Sequence, residues 1–252
     1  MTHPTMAGFE RHLLVYRRLW RATVFSFFVV PTLFLVSIGM GVGAYVGEFD
    51  GIRYTHWILP GLMAMLAFQI GVSESTYGIL AEFEWSGAFV TMRNTTVRIR
   101  DMVASWLLYV LFVLALAMTA FLVVSLLFGA LRSGWTILAP PICGLVTLSV
   151  AAPTIAFSAH VRSDSYFPML FRFAVVPATL FSGVFFPVEQ MPAVVRPLAY
   201  VSPLWHGVEL NRAAILGIPT AWPAALHVVV PLAWLALGWV AAQATFRRRL
   251  ML

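Results

Sequence analysis

The feature that most restricts this chain is a series of long apolar runs that follow one another with little between them. A helix rises about 1.5 Å per residue, so about 20 apolar residues cross the roughly 30 Å of hydrocarbon in a bilayer. Six stretches reach that length, at about 24–46, 57–80, 103–128, 136–160, 167–186 and 223–245. Lipid offers no partner for backbone N–H and C=O groups, so runs of this kind must be helical. The expected fold is an all-α membrane protein with six transmembrane helices in a single domain, residues 1–252. Charge content agrees: 10% of residues are charged, against about 25% in soluble domains, too few to solvate a globular surface.

Every basic residue is arginine, and the net charge is +6. A basic balance can signal nucleic acid, but these arginines gather at the ends of apolar runs, which is a topological pattern. No nucleic-acid partner is expected. Six spans put both termini on one side. With the N-terminus inside, the inner segments hold Arg11, Arg17, Arg18, Arg21, Arg93, Arg98, Arg100, Arg162, Arg247, Arg248 and Arg249. The outer segments hold Arg53, Arg132, Arg196 and Arg212. The remaining arginine, Arg172, falls within the fifth span. Eleven against four predicts cytoplasmic termini. More than twenty residues precede the first run, and that run exceeds a signal-peptide core, so no cleavable signal is expected. The single cysteine, Cys143, lies inside an apolar run and allows no intrachain disulfide.

Three segments between the runs stand out. In residues 8–23, Phe9, Leu13, Tyr16 and Trp20 recur at helical spacing while Arg11, Arg18 and Arg21 take the other side. That pattern predicts an N-terminal amphipathic helix in the inner interface, its apolar face in lipid. Residues 82–102 form the longest inner loop and the most charged part of the chain. Glu82 and Glu84 precede a short helix that Ser86 can cap, and Arg93, Arg98 and Arg100 follow, an order that suits a helix dipole. The plainer alternative is a solvated loop of topogenic arginines. In residues 187–217, Pro187, Pro192 and Pro197 break the chain. Ser202, Pro203 and Gly217 then supply an N-cap, a first-turn proline and a C-terminal glycine. A helix over 203–216 is about 21 Å long, too short to span, so short re-entrant helices between spans five and six are expected.

Charges inside lipid are functional candidates by default. Glu74 is the only carboxylate well within a span, near its inner end, with Gln69, Ser73 and Ser75 close in sequence. Arg172 lies at similar depth in the fifth span. The group either lines a polar path for substrate or pairs Glu74 with Arg172 as a structural tie. His206, Glu209 and Arg212 stand one helical turn apart and read most simply as a solvated polar ladder. No HExxH, GxSxG or clustered Cys/His set occurs, so no catalytic residue and no metal site are expected. The glycines of GMGVG at 39–43 suit close helix packing, and no GxxxxGK[ST] phosphate loop is present.

Taken together, the inner amphipathic helix, six spans, charged inner loop and proline-broken outer segment resemble the permease subunits of ABC-2 type exporters. The most specific stretch is FSGVFFPVEQMPAVVRPLAYVSPLWHGVELNRAAILG, with Ser182–Gly183, Phe186–Pro187, Met191–Pro192, Ser202–Pro203–Leu204 and Arg212 at the matching positions. It is similar to the branch of nodulation-factor and drug-export permeases. The family often has Thr-Pro after its coupling helix, where this chain has Asn94–Thr95–Thr96.

The resemblance implies a connecting helix at 8–23 with Arg17 and Arg18 against an ATPase. It implies a coupling element with Glu82, Glu84, Ser86, Gly87 and Arg93, and a path near Gln69, Glu74, Ser75 and Arg172. It also implies an outer re-entrant element bearing Pro187, Pro192, Ser202, Pro203, His206, Glu209 and Arg212. Two ATPase subunits would bind ATP and Mg, no cofactor would reside in this chain, and a second permease chain, identical or paralogous, would complete the path. The setting would be the bacterial cytoplasmic membrane and its lipid. The implied function is ATP-driven export of an amphipathic or lipid-linked substrate by alternating access. An ATP-independent secondary transporter or channel is the alternative, which the lack of an internal repeat and the few intramembrane charges disfavour.

Overall fold

In the computed structural model, which describes residues 3–49, 51–127 and 134–251, helix α1 (Pro4–Val36) opens on a first-turn proline. The His3 side chain accepts from the Thr5 backbone N–H at 3.4 Å. The helix runs 33 residues, through the amphipathic stretch and into the first apolar run without a break. Its Phe9, His12 and Tyr16 face does not point to lipid. Those rings pack on Trp106, Tyr109 and Phe112 of α5 (Ile99–Leu127), with His12 against Trp106 at 4.8 Å and Tyr16 against Phe112 at 5.6 Å. Burying aromatic surface against protein competes well with burying it in lipid when the partner face is also aromatic.

After α1 the chain winds as a π-helix over Ser37–Val42 and one further turn at Gly43–Val46. A Cβ added at Gly41 would meet nothing within 4 Å, so close packing within this chain does not account for that glycine. A two-residue antiparallel ribbon, Glu48–Phe49 with Ile52–Arg53, leads into α2 (Tyr54–Glu74). Helix α2 is buried on nearly all sides, as an all-round apolar helix at the centre of a bundle should be. Glycines admit its neighbours: a Cβ at Gly61 would lie 2.9 Å from the Val184 carbonyl, and one at Gly71 2.7 Å from the Thr147 carbonyl.

The backbone breaks at Ser75–Thr76, then resumes as α3 (Tyr77–Glu84) and α4 (Ala88–Arg93). Gly87 bridges α3 and α4 in the left-handed region at φ 61°, which glycine adopts without penalty. Helix α6 (Ala139–His160) begins on paired prolines and carries Pro153 within it. Helix α7 (167–181) contains a π-helical turn at Phe171–Val175. Arg132 and the last residue of the third apolar run lie outside the described residues.

Past α7, a short turn at Val188–Gln190 and helix α8 (Arg196–Val201) lead to α9 (Pro203–Leu216), closed by Gly217 at φ 72°. Ser202 sits at the start of α9 but makes no capping bond; its hydroxyl lies 3.2 Å from that of Ser182. Helix α9 packs on α2, α6 and α10 and is largely buried.

The last helix, α10 (Ala224–Met251), buries one stripe only: His227, Pro231, Gly238, Ala242, Phe246 and Leu250. Gly238 receives the Pro153 ring of α6, where a Cβ would overlap it. The remaining faces of α10 expose Leu226, Val229, Leu237 and Val240, as expected of a helix with hydrocarbon on its outer side.

The chain is mostly helical, and among the described residues four helical stretches are long and apolar enough to cross a membrane: Tyr54–Glu84, Ile99–Leu127, Trp135–His160 and Ala224–Met251. Helix α7, at 167–181, is shorter than the fifth apolar run.

Candidate functional site

Three polar regions sit on this apolar frame. The first lies at the end of the bundle that carries both termini. The Glu82 carboxylate accepts two bonds from the Arg11 guanidinium, at 2.8 and 3.1 Å, and a third from the Ser86 hydroxyl at 3.2 Å. The Ser86 oxygen in turn accepts from the Ala88 N–H at 3.3 Å, which steadies the start of α4. Two residues on, the Glu84 carboxylate pairs with Arg249 of α10. Arg93 donates to the Leu250 carbonyl. The α3–α4 element is therefore tied to both ends of the chain. Arg17 and Arg18 are exposed on α1 and take no part in these ties. Beneath the junction, Phe83, Phe89 and Phe246 meet with ring centroids 4.8 to 5.0 Å apart. Nearby, burial and the Arg11 charge push the His12 pKa down to about 4, so this imidazole is neutral near pH 7.

The second region is the polar stripe on α2. Gln69 and Ser73 are exposed on one face, and the Ser73 hydroxyl donates to the Gln69 carbonyl at 2.7 Å. Glu74 is half-buried, and the Tyr109 side chain of α5 lies near it. Ser75 is fully buried. Arg172 is exposed on α7, and no ion pair among the described residues joins it to Glu74. The structural tie considered from the sequence is therefore not made within one chain.

The third region, at the opposite end, corrects the reading of a solvated ladder. His206 is fully buried. Its Nδ1 lies 2.9 Å from Nδ1 of His227, and its Nε2 lies 2.9 Å from the Tyr200 carbonyl. A carbonyl only accepts, so His206 Nε2 carries the proton, and in the neutral pair His227 Nδ1 must donate to His206 Nδ1. Arg212 is 6% exposed. It donates to the Gly183 carbonyl at 2.6 Å, stacks 4.0 Å over the Trp57 ring and lies 3.5 Å from Glu209. Glu209 also accepts from the Ala221 N–H at 3.1 Å. Asn211, fully buried, donates to the Pro60 carbonyl at 3.4 Å. Pro187 and Pro192 flank a small core of Val188, Met191, Ala199 and Trp205.

Among the described residues, no three His, Cys, Asp or Glu side chains gather to hold a metal. The ABC-2 type transporter family profile matches residues 5–216. This chain belongs to that family. It is 26% identical to Nodulation protein J of Rhizobium leguminosarum bv. viciae over 246 residues, 98% of this chain and 95% of the relative. Nodulation protein J of Bradyrhizobium diazoefficiens is 28% identical, covering 97% and 93%. The Inner membrane transport permease YadH of Escherichia coli (strain K12) is 25% identical, covering 81% and 79%. An ABC-2 permease is the membrane subunit of an ABC transporter, a family that generally works with ABC ATPase partners.

In this ABC-2 permease the residues that sequence reasoning passed over are the partners. Arg249 was visible only as a topogenic charge, Arg11 as that and as part of the polar side of the amphipathic helix, and Tyr109, His227 and Trp57 only as residues of apolar runs. Glu84 and Arg249 are 165 residues apart, a separation at which helical spacing carries no information. The permease also has a cavity of about 530 Å³ between α2, α6, α7, α8 and α10, lined by Phe68, Phe157, Leu170 and Trp234 among others, with Thr154 and Ser202 as its polar contributors.

Proposed function

We propose that this chain is the permease subunit of an ATP-driven ABC exporter that moves an amphipathic or lipid-linked molecule out of a bacterial cell. In this reading α1 and α7 complete a six-span set with the four long helices, both termini are cytoplasmic, and the 187–217 segment is the outer re-entrant element. Two permease chains enclose the path, and two ATPase subunits dock on the α3–α4 element and on α1.

The observation that carries the reading is the junction at the termini-bearing end. A short charged element, separated from α2 by a backbone break, is fixed through Glu82 to α1 and through Glu84 to α10. A free topogenic loop has no use for such ties, whereas an element that receives a push from a soluble partner requires them. The nearly apolar cavity and the exposed polar stripe of Gln69 and Ser73 support an amphipathic substrate. ATPase closure would press on α3–α4, close the inner side and open the outer one. The names of the relatives, a nodulation protein and an inner membrane transport permease, support a membrane permease role.

The test is purification of the chain with its ATPase and measurement of hydrolysis across a panel of amphiphiles in proteoliposomes. Stimulation by some of the panel, with transport that needs ATP, is the expected result. A permease that purifies without any ATPase and transports after ATP depletion would instead be a secondary transporter.

A further inference from the structure

Three arginines end α10, and by charge counting they are equivalent. Their surroundings are not. Arg247 and Arg248 are exposed, whereas the Arg249 side chain is only 12% exposed. Its Nη1 points at the end of α6 and donates to the carbonyls of Ser158, Ala159 and Val161 at 3.3, 2.9 and 2.8 Å. Its Nη2 reaches the Glu84 carboxylate at the end of α3. The guanidinium lies 4.2 Å over the Phe83 ring. A helix C-terminus leaves carbonyls without partners and carries partial negative charge, so a cation there is stabilising. An arginine needed only to set topology has no reason to be desolvated or to hold fixed partners.

One side chain thus joins the ends of three helices. The mechanical setting gives this meaning. Helix α3 is separated from α2 by the Ser75–Thr76 break, so it can tilt without dragging α2 along its axis. Among the described residues, helices α6 and α10 make the most extensive contact between two elements, with Gly238 seated on Pro153. A tilt of α3–α4 reaches that pair chiefly through what holds their ends together. Lysine could satisfy Glu84, but it is a single point charge and lacks the planar fork that serves carboxylate and carbonyls at once.

We propose that Arg249 is the positioning residue through which displacement of the α3–α4 element is passed to α6 and α10. This rests on the exporter reading, in which α3–α4 is the element displaced. Arg249 contacts neither substrate nor nucleotide. It makes the ends of α3, α6 and α10 move as one body, so that hydrolysis does not proceed without opening the path.

The experiment uses the permease purified with its ATPase in proteoliposomes. Hydrolysis and export of a fluorescent amphiphile are both normalised to folded complex by fluorescence-detected size exclusion. R249A is expected to export about tenfold less per ATP, the scale of lost charge-assisted hydrogen bonds, while hydrolysis per complex stays within about twofold. R249K is expected to fall between R249A and wild type. R247A and R248A remove the same charge and are expected to match wild type. Spin labels at Trp85 and Arg162, both exposed, are expected to keep a narrow distance distribution in wild type with and without ATP, and a broadened one in R249A.

An unchanged export-to-hydrolysis ratio in both R249A and R249K overturns the proposal while leaving the exporter reading intact. So does a partial loss of export in R249A that an equal partial loss of folded complex accounts for. If R249A does not fold, the ratio in R249K decides. A wild-type complex that exports without consuming ATP overturns the exporter reading and this role with it.

Discussion

At the end that carries both termini, Arg11, Glu82, Glu84 and Arg249 meet as opposite charges with part of their surface in water; at the other end, Arg212, His206, His227 and Asn211 are buried against carbonyls and rings. Glu84 is 40% exposed and Arg11 33%, whereas His206, His227 and Asn211 are 0% exposed. The same residue type, arginine, serves both ends, but its work differs with the local dielectric. A partly wet pair is weakened by salt and contributes little on its own. A buried cation is held by contacts that cost a great deal to remove one at a time. One end thus sets the wetter, adjustable Arg11–Glu82 pair beside the fixed Arg249, and the other is a fixed seat for α9.

That contrast can be broken most strongly at Arg212. Arg212→Ala removes the bond to the Gly183 carbonyl and the stack on Trp57, and leaves Glu209 with one partner fewer. It is expected to cost about 3–5 kcal/mol, read as a lowered thermal midpoint in detergent, and Arg212→Lys is expected to recover less than half. Recovery of most of the loss by lysine would mean that charge alone matters there.

Acid attacks the termini-bearing end next. His12 is neutral in the folded protein, with its pKa pushed down to about 4 by burial and by Arg11, while the unfolded chain takes up a proton near 6.5. Below 6.5 the unfolded state therefore binds more protons, and the contribution present above that pH is lost as pH falls toward and through 4. At pH 5 the expected loss is about 2 kcal/mol, and His12→Phe should abolish that component of the acid profile. An acid profile identical in wild type and His12→Phe would show that His12 is not the responsible group.

The histidine pair sharpens the comparison at the buried end. His227→Phe leaves His206 Nδ1 buried without its donor and is expected to cost about 1–2 kcal/mol. The double substitution His206→Phe with His227→Phe leaves only the Tyr200 carbonyl unpaired, so its loss should be less than the sum of the single losses. Strict additivity would argue against a direct bond.

The smallest effect belongs to Arg11 and Glu82. A double-mutant cycle with alanine is expected to give a coupling of about 0.2–1 kcal/mol that shrinks in high salt. The same cycle on Arg212 and Glu209 should respond less to salt. Equal salt sensitivity at both ends would erase the distinction between them.

Much of the architecture could be read from the chain, because the requirement to pair backbone groups in lipid leaves long apolar runs one solution. The described residues of the runs at 57–80, 103–128 and 136–160, and all but the first residue of the run at 223–245, lie within helices long enough to span. Pro203 and Gly217 bound α9 because a first-turn proline and a left-handed glycine act locally, without help from distant residues. The family, too, was legible in the 181–217 stretch. The site was less so. Ser202 has the residue type of a cap, yet its hydroxyl turns to Ser182, and the Phe9–Tyr16 face looks lipid-directed until α5 presents Trp106 and Phe112 to it.

What the sequence by itself determined is the material of this protein: helices, their approximate lengths, arginines toward one side, and an ABC-2 signature near the C-terminal third. Local periodicity and backbone chemistry suffice for those. Only the tertiary structure decided which charges are partners. It buried Arg212 and His206, set Glu74 near Tyr109 and not in an ion pair with Arg172, and separated Arg249 from Arg247 and Arg248. Such choices depend on side chains brought together from distant parts of the chain, and on how completely water is excluded where they meet.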